Sequence, residues 1–75
     1  MKTKKYCALA GKKIKELRLQ NNLKVSELAK LSELSPSTIR RIETGNYDIE
    51  LFTIYKLCRA FNIKALDFFK SLETI

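Results

Sequence analysis

The stretch from Ser35 to Gly45, SPSTIRRIETG, constrains the chain more than any other. Its two ends bracket one short helix. Ser35 is a good N-cap, because its hydroxyl can accept from a backbone N–H left free in the first turn. Pro36 follows at the first helical position, where its missing N–H is not needed. Gly45 stops the helix, since glycine adopts the left-handed conformation of a C-cap without a steric cost. Inside the bracket, Ile39 and Ile42 form the inward pair. Ser37, Thr38, Arg40, Arg41 and Thr44 are left facing outward, so most of this helix is not core.

The rest of the chain reads as helix too. It has only two Gly and one Pro in 75 residues, which leaves little for loops. No segment alternates apolar and polar residues as a half-buried strand would. Residues 8–21 read as a first helix, with Ala10, Ile14 and Leu17 on one stripe and Lys12, Lys13, Lys15 and Glu16 off it. Asn21 and Asn22 end it, because Asn tolerates the left-handed region. Residues 25–32 read as a second helix, with Leu28 and Ala29 inward and Val25 and Leu31 as candidates beside them. A helix this short is held only by packing. A loop from Asn46 to Asp48 leads to a fourth helix, where Asp48 or Glu50 places acid near the positive end of the helix dipole. There Leu51, Ile54, Leu57, Cys58 and Phe61 make a strong apolar stripe, closed by Asn62. A last helix runs from about Ala65 to Leu72, and its Leu66, Phe68, Phe69 and Leu72 supply more apolar surface than one short helix buries within its own domain. Phe61 and Phe68 are expected in the core. Five short helices with tight connections imply an all-α domain. It is expected to span residues 8–75 behind a basic N-terminal arm, residues 1–7.

The net charge is +7, and the isoelectric point is near 9.7. Such an excess points to a polyanionic partner, nucleic acid first and anionic membrane second. The charge is uneven: residues 2–18 hold seven basic groups and one acid, the remainder eight basic and seven acidic. No apolar run approaches the roughly 18 residues of a membrane span. No apolar stretch follows the N-terminal lysines as a secretory signal requires, so a cytoplasmic location is expected. Cys7 and Cys58 are too few for a zinc site or a disulfide framework. Cys58 reads as a small buried side chain on a helix. With no His, no Gly-rich phosphate loop and no activated nucleophile, an enzyme is not expected. Neither is a metal, a cofactor or a small-molecule ligand.

Two short helices, residues 25–32 and 36–44, are joined by about three residues, which is the spacing of a helix-turn-helix. The outward face of the second suits a major groove. Ser37 and Thr38 are small enough to let the backbone come close. The N-terminal N–H groups attract phosphate, and Arg40 and Arg41 can reach guanine O6 and N7. On composition alone, the same face could be a solvated basic surface.

From Ile14 to Phe69 the chain resembles the Cro/cI-type (Xre-family, lambda-repressor-like) helix-turn-helix proteins. The matching blocks are IKELR at 14–18, SELAKLS at 26–32 and STIRRIETG at 37–45, then LFTIYKLCRAFNI at 51–63 and ALDFF at 65–69. The resemblance implies a five-helix domain whose helices 2 and 3 form the helix-turn-helix and which binds operator DNA, usually as a dimer. It also implies that Arg18, near the end of helix 1, pairs with Glu43, near the end of the recognition helix. Three positions depart from the family. Lys24 and Val25 stand where Ser or Thr and then Gln are common, so the usual phosphate-clamping Gln is missing and Lys24 or Ser26 must substitute. Glu33 stands in the turn where Gly is usual, which implies positive φ and a strain of about 1 kcal/mol. Pro36 occupies the first base-reading position and can offer only an apolar contact, for instance to a thymine methyl.

Base contacts are therefore expected from Pro36, Ser37, Thr38, Arg40 and Arg41. Backbone contacts are expected from Lys24, Ser26, Thr44, Asn46 and Tyr47, which position the protein without reading sequence. Lys2, Lys4 and Lys5 are candidates to reach along the backbone or into a minor groove. Tyr55, Phe69, Leu72 and Ile75 are candidates for a two-fold interface, which would set two recognition helices about 34 Å apart. The expected function is sequence-specific transcriptional regulation by a homodimer on an inverted repeat in double-stranded DNA, as in a phage or plasmid repressor, a restriction-modification controller or an antitoxin-like autoregulator. The alternative, motivated by Val25, Glu33 and Pro36, is a protein-interaction adaptor on the same fold. Steeply salt-dependent duplex binding separates the two.

Overall fold

The computed structural model describes residues 3–45 and 47–73, with side chains from Lys5 onward. It contains five helices: α1 (Thr3–Gln20), α2 (Val25–Ser32), α3 (Pro36–Thr44), α4 (Leu51–Ala60) and α5 (Ala65–Glu73). No strand occurs among the described residues. α1 packs on α3 and α5, α2 on α3 and α4, and α4 on α5. Ile14, Leu28, Ile39, Ile42, Leu57, Cys58 and Phe68 meet at the centre and are almost fully withdrawn from solvent.

The helices stop where left-handed residues can stop them. Asn22, Glu33 and Asn62 have φ of 56, 59 and 58°, and Gly45 has 80°. After each of the first three, the next N–H reaches back across the last turn: Leu23 to the Arg18 carbonyl at 3.0 Å, Leu34 to Ala29 at 2.9 Å and Ile63 to Cys58 at 3.0 Å. This pattern satisfies carbonyls that a helix end would otherwise leave open. The third helix is capped as its sequence dictates, with Ser35 Oγ accepting from the Thr38 N–H at 3.1 Å.

Three features differ from the sequence expectation. α1 begins at Thr3 rather than near residue 8. The segment TKKYC has no helix breaker, and its Tyr6 and Cys7 form one wall of an open apolar cleft whose other lining includes Ile49, Ile54, Phe69 and Leu72. Leu31 is 57% exposed, whereas Ser32 is buried. Ser32 can take the inward position because its hydroxyl donates to the Leu28 carbonyl at 2.7 Å, leaving no orphaned polar group. Leu51 is 71% exposed. It is the first residue of α4, and no helix lies over it. Only an open groove formed with Phe52, Ile54, Tyr55, Ala65 and Phe69 adjoins it.

Candidate nucleic-acid interface

α3 sits as the sequence requires of a recognition helix. Ile39 and Ile42 are completely buried. Ser37, Arg40, Arg41 and Thr44 are exposed on the opposite side. Their spacing of three and four residues makes them neighbours on one ridge. Neither arginine is in an ion pair with another described residue, so both guanidinium groups are available. Pro36 is exposed at the start of the helix.

Thr38 and Thr44 are less available than the sequence implies. Thr38 is only half-exposed, and its hydroxyl lies 2.8 Å from Ser35 Oγ, within the cap. The sequence expectation has Thr44 donating to a phosphate. Its single hydroxyl proton instead goes to the Arg41 carbonyl at 2.7 Å.

The second helix brings its own N-terminus to the surface. The Glu27 carboxylate accepts from the Lys24 N–H at 2.8 Å, which is one half of a capping box. The other half is missing, because a lysine side chain has no acceptor for the first-turn N–H groups. Lys24 and Ser26 are both exposed. Tyr47 is half-buried and packed against the core beyond α3. Asn46 lies outside the described residues.

The ion pair implied by the family resemblance fixes α3 from behind. Arg18 Nε donates to Glu43 Oε2 at 2.8 Å, and Nη2 donates to Oε1 at 3.0 Å. Arg18 Nη1 donates to the Leu23 carbonyl at 2.9 Å, so one guanidinium joins the end of α1, the turn after it and the end of α3. The two side chains are 11% and 9% exposed, which makes this a largely desolvated bidentate pair. The hydrogen bonds to Glu43 push the Arg18 pKa up; burial works against them and the opposite charge adds to them.

A second restraint is one that the sequence reading missed. At Gly11 a Cβ would collide with the Ile42 carbonyl oxygen, so α1 and α3 touch backbone to backbone. At Gly45 a Cβ would stand 2.9 Å from the Cα of Ala8. The available signal was Gly11 itself, a glycine inside a long helical pattern, which calls for a packing reason.

The proposed interface residues are split. Tyr55 is exposed on α4, while Phe69 and Leu72 are half-buried on α5. Phe69 lines the same groove as Tyr55, and Leu72 lies in the neighbouring cleft on the side of α1. Ile75 lies outside the described residues. Leu66 is well exposed, in line with the surplus of apolar surface expected on α5, whereas the exposure of Leu51 and Phe52 was not foreseen.

Comparison with known proteins agrees with this geometry. The HTH_3 helix-turn-helix family matches residues 14–68. An uncharacterised HTH-type transcriptional regulator from Archaeoglobus fulgidus is 40% identical over 57 residues, covering 76% of this chain and 80% of that protein. One from Methanocaldococcus jannaschii is 39% identical over 57 residues, covering 76% of this chain and 86% of that protein. Among solved structures, the restriction-modification controller protein C.AhdI from Aeromonas hydrophila is 31% identical, with a TM-score of 0.79 over 83% of this chain and 94% of that one. No helix among the described residues is long and apolar enough to cross a membrane. With its short second and third helices, its inward Ile39–Ile42 pair and its outward arginine ridge, the chain belongs to the HTH_3 helix-turn-helix family and is a DNA-binding transcriptional regulator.

Proposed function

We propose that the protein acts in the cytoplasm as a homodimer that binds an inverted-repeat operator, in the manner of a restriction-modification controller or a small phage or plasmid repressor. The observation that carries this reading is the exposed ridge Ser37–Arg40–Arg41–Thr44 on a helix held rigidly by Arg18 and Glu43. Arg40 and Arg41 read base edges, with Ser37 beside them, while Pro36 and the Thr38 methyl offer apolar contacts. Lys24, Ser26 and the uncapped N–H groups of α2 hold a phosphate at the groove edge, in place of the missing Gln. Asn46 and Tyr47 extend the phosphate contacts past the C-terminal end of α3.

Dimerisation is supported by the apolar side chains left outside on α4 and α5. Leu51, Phe52, Tyr55 and Leu66 are each more than half exposed. Leu51, Phe52 and Tyr55 line one open groove with Phe69; an exposed apolar surface of this kind marks an interaction site, and a second copy supplies the same surface across a two-fold axis. The controller reading draws on the likeness to C.AhdI, which spans nearly all of that protein.

Selection of bound sequences from a random duplex pool tests the proposal. Recovery of two inverted half-sites spaced by about one helical turn supports it. A single unpaired site, or no enrichment, refutes it.

A further inference from the structure

We propose that a lysine stripe on the outer face of α1 is a second phosphate-binding element, which extends the DNA footprint past the C-terminal end of the recognition helix. The inference rests on the DNA-binding reading and concerns Lys5, Lys12 and Lys15. All three are exposed.

Their position follows from the contact between α1 and α3. Ala8 lies against Gly45, and Gly11 lies against the Ile42 carbonyl. On a helix, residues three and four apart are neighbours, with Cβ atoms about 5–6 Å from one another. Lys5 and Lys12 are therefore the neighbours of Ala8 on either side, and Lys15 is the neighbour of Gly11. Lys15 thus stands beside the contact where α3 ends, and Lys12 and Lys5 continue from it along the outer face of α1, where Lys12 also borders a cleft with Leu72.

The charge pattern agrees. Residues 2–18 hold seven of the fifteen basic groups and a single acid, Glu16. Only one of those basic side chains, Arg18, is consumed in an ion pair among the described residues. The helical backbone from Thr3 matters as well. A flexible arm loses conformational freedom when it binds, whereas lysines set on a formed helix lose only side-chain freedom. When α3 enters a major groove, the strand at its C-terminal end runs beside this stripe, and three ammonium groups meet successive phosphates.

The test is the salt dependence of binding to the selected operator, flanked by several base pairs on each side. Each phosphate that a variant no longer neutralises should reduce the slope of log K against log salt by about 0.9. K5Q/K12Q/K15Q should therefore lower the slope by about 2.7 per protomer, about 5.4 for a dimer on its operator, while leaving the preferred operator sequence unchanged. K5R/K12R/K15R should restore the slope. K64Q/K70Q removes charge from exposed lysines elsewhere and should leave it close to wild type. A duplex trimmed to the operator edges should bring wild type and the triple glutamine variant together. The substituted side chains are exposed, and circular dichroism melts check that each variant is folded. If the triple variant keeps the wild-type slope, or if K64Q/K70Q lowers it equally per lysine, the proposal is wrong while the DNA-binding reading stands. Wild-type protein that shows no salt-sensitive duplex binding would overturn both.

Discussion

Arg18 and Glu43 are 25 residues apart in the chain and meet through two hydrogen bonds of 2.8 and 3.0 Å. The pair ties the end of the first helix to the end of the third. It is held in place by a third bond, from Arg18 to the Leu23 carbonyl. Removing either partner leaves the other with a poorly solvated charge. Arg18→Ala and Glu43→Ala should each cost about 3 kcal/mol in urea denaturation. The double variant should cost clearly less than their sum. Arg18→Lys should recover only part of the loss, because an ammonium cannot make the planar two-bond contact. Additive single effects would show that the pair is not coupled.

The backbone contact between α1 and α3 has its own signature. A Cβ at position 11 meets the carbonyl oxygen of Ile42, which cannot move without moving α3. Gly11→Ala should therefore destabilise the fold by about 2 kcal/mol, although alanine favours a helix. Its operator affinity at a temperature where it is fully folded should fall as well, since the ridge is displaced. A stabilised variant with wild-type affinity would show that the two helices have room to spare.

Glu33 presents the opposite case. It holds φ at 59° in the turn between α2 and α3, where a side chain is strained and glycine is not. Glu33→Gly should relieve about 1 kcal/mol of strain, of which the added freedom of the unfolded chain takes back about 0.4–1 kcal/mol. In a domain of this size the net gain raises Tm by at most about 4 °C. A fall in Tm would mean that the Glu33 side chain makes a contribution larger than the strain.

The two cysteines should differ in reactivity. Cys7 is half-exposed in the α1 cleft, whereas Cys58 is buried. Burial pushes the Cys58 thiol up from its ordinary value of 9.0. The folded state thus holds this proton to higher pH than the unfolded chain does. The resulting stability is fully present below the ordinary thiol range and is lost as pH rises through the raised value. Alkylation should modify Cys7 rapidly and Cys58 only on unfolding. Cys58→Ala should lose less stability than wild type between neutral and alkaline pH. Equal labelling rates for the two thiols would contradict the buried position.

Arg41 and Lys24 should separate reading from holding. Arg41→Ala should cost about 1–3 kcal/mol and relax preference at one base pair in each half-site. Lys24→Ala should weaken all duplexes alike and lower the salt slope by about 0.9 per protomer, about 1.8 for the dimer. Equal loss of specificity from both would refute this division of labour.

Much of the architecture was legible in local chemistry. Ser35, Pro36 and Gly45 marked the limits of α3, because capping, a fixed proline φ and left-handed glycine act within a few residues. Asn22 and Asn62 marked helix ends for the same reason, and Ile39 and Ile42 showed which side of α3 is inward. The family resemblance brought Arg18 and Glu43 together before any coordinates did, whereas spacing alone had no means of pairing residues so distant. The packing of α2 decided that Ser32 rather than Leu31 is inward, and the Leu28 carbonyl one turn back satisfies the buried hydroxyl. Thr38 and Thr44 turned their hydroxyls to Ser35 and to the Arg41 carbonyl, away from a free surface. The start of α1 was not legible either, since TKKYC carries no cap or breaker that marks where the helix begins. The sequence by itself determined five helices, their caps and the basic character of the outward face, because those depend on neighbours along the chain. The tertiary structure decided which side of α2 is buried, how closely α1 approaches α3 through Gly11 and Gly45, and which apolar residues remain outside, because those depend on which surfaces the helices leave for one another.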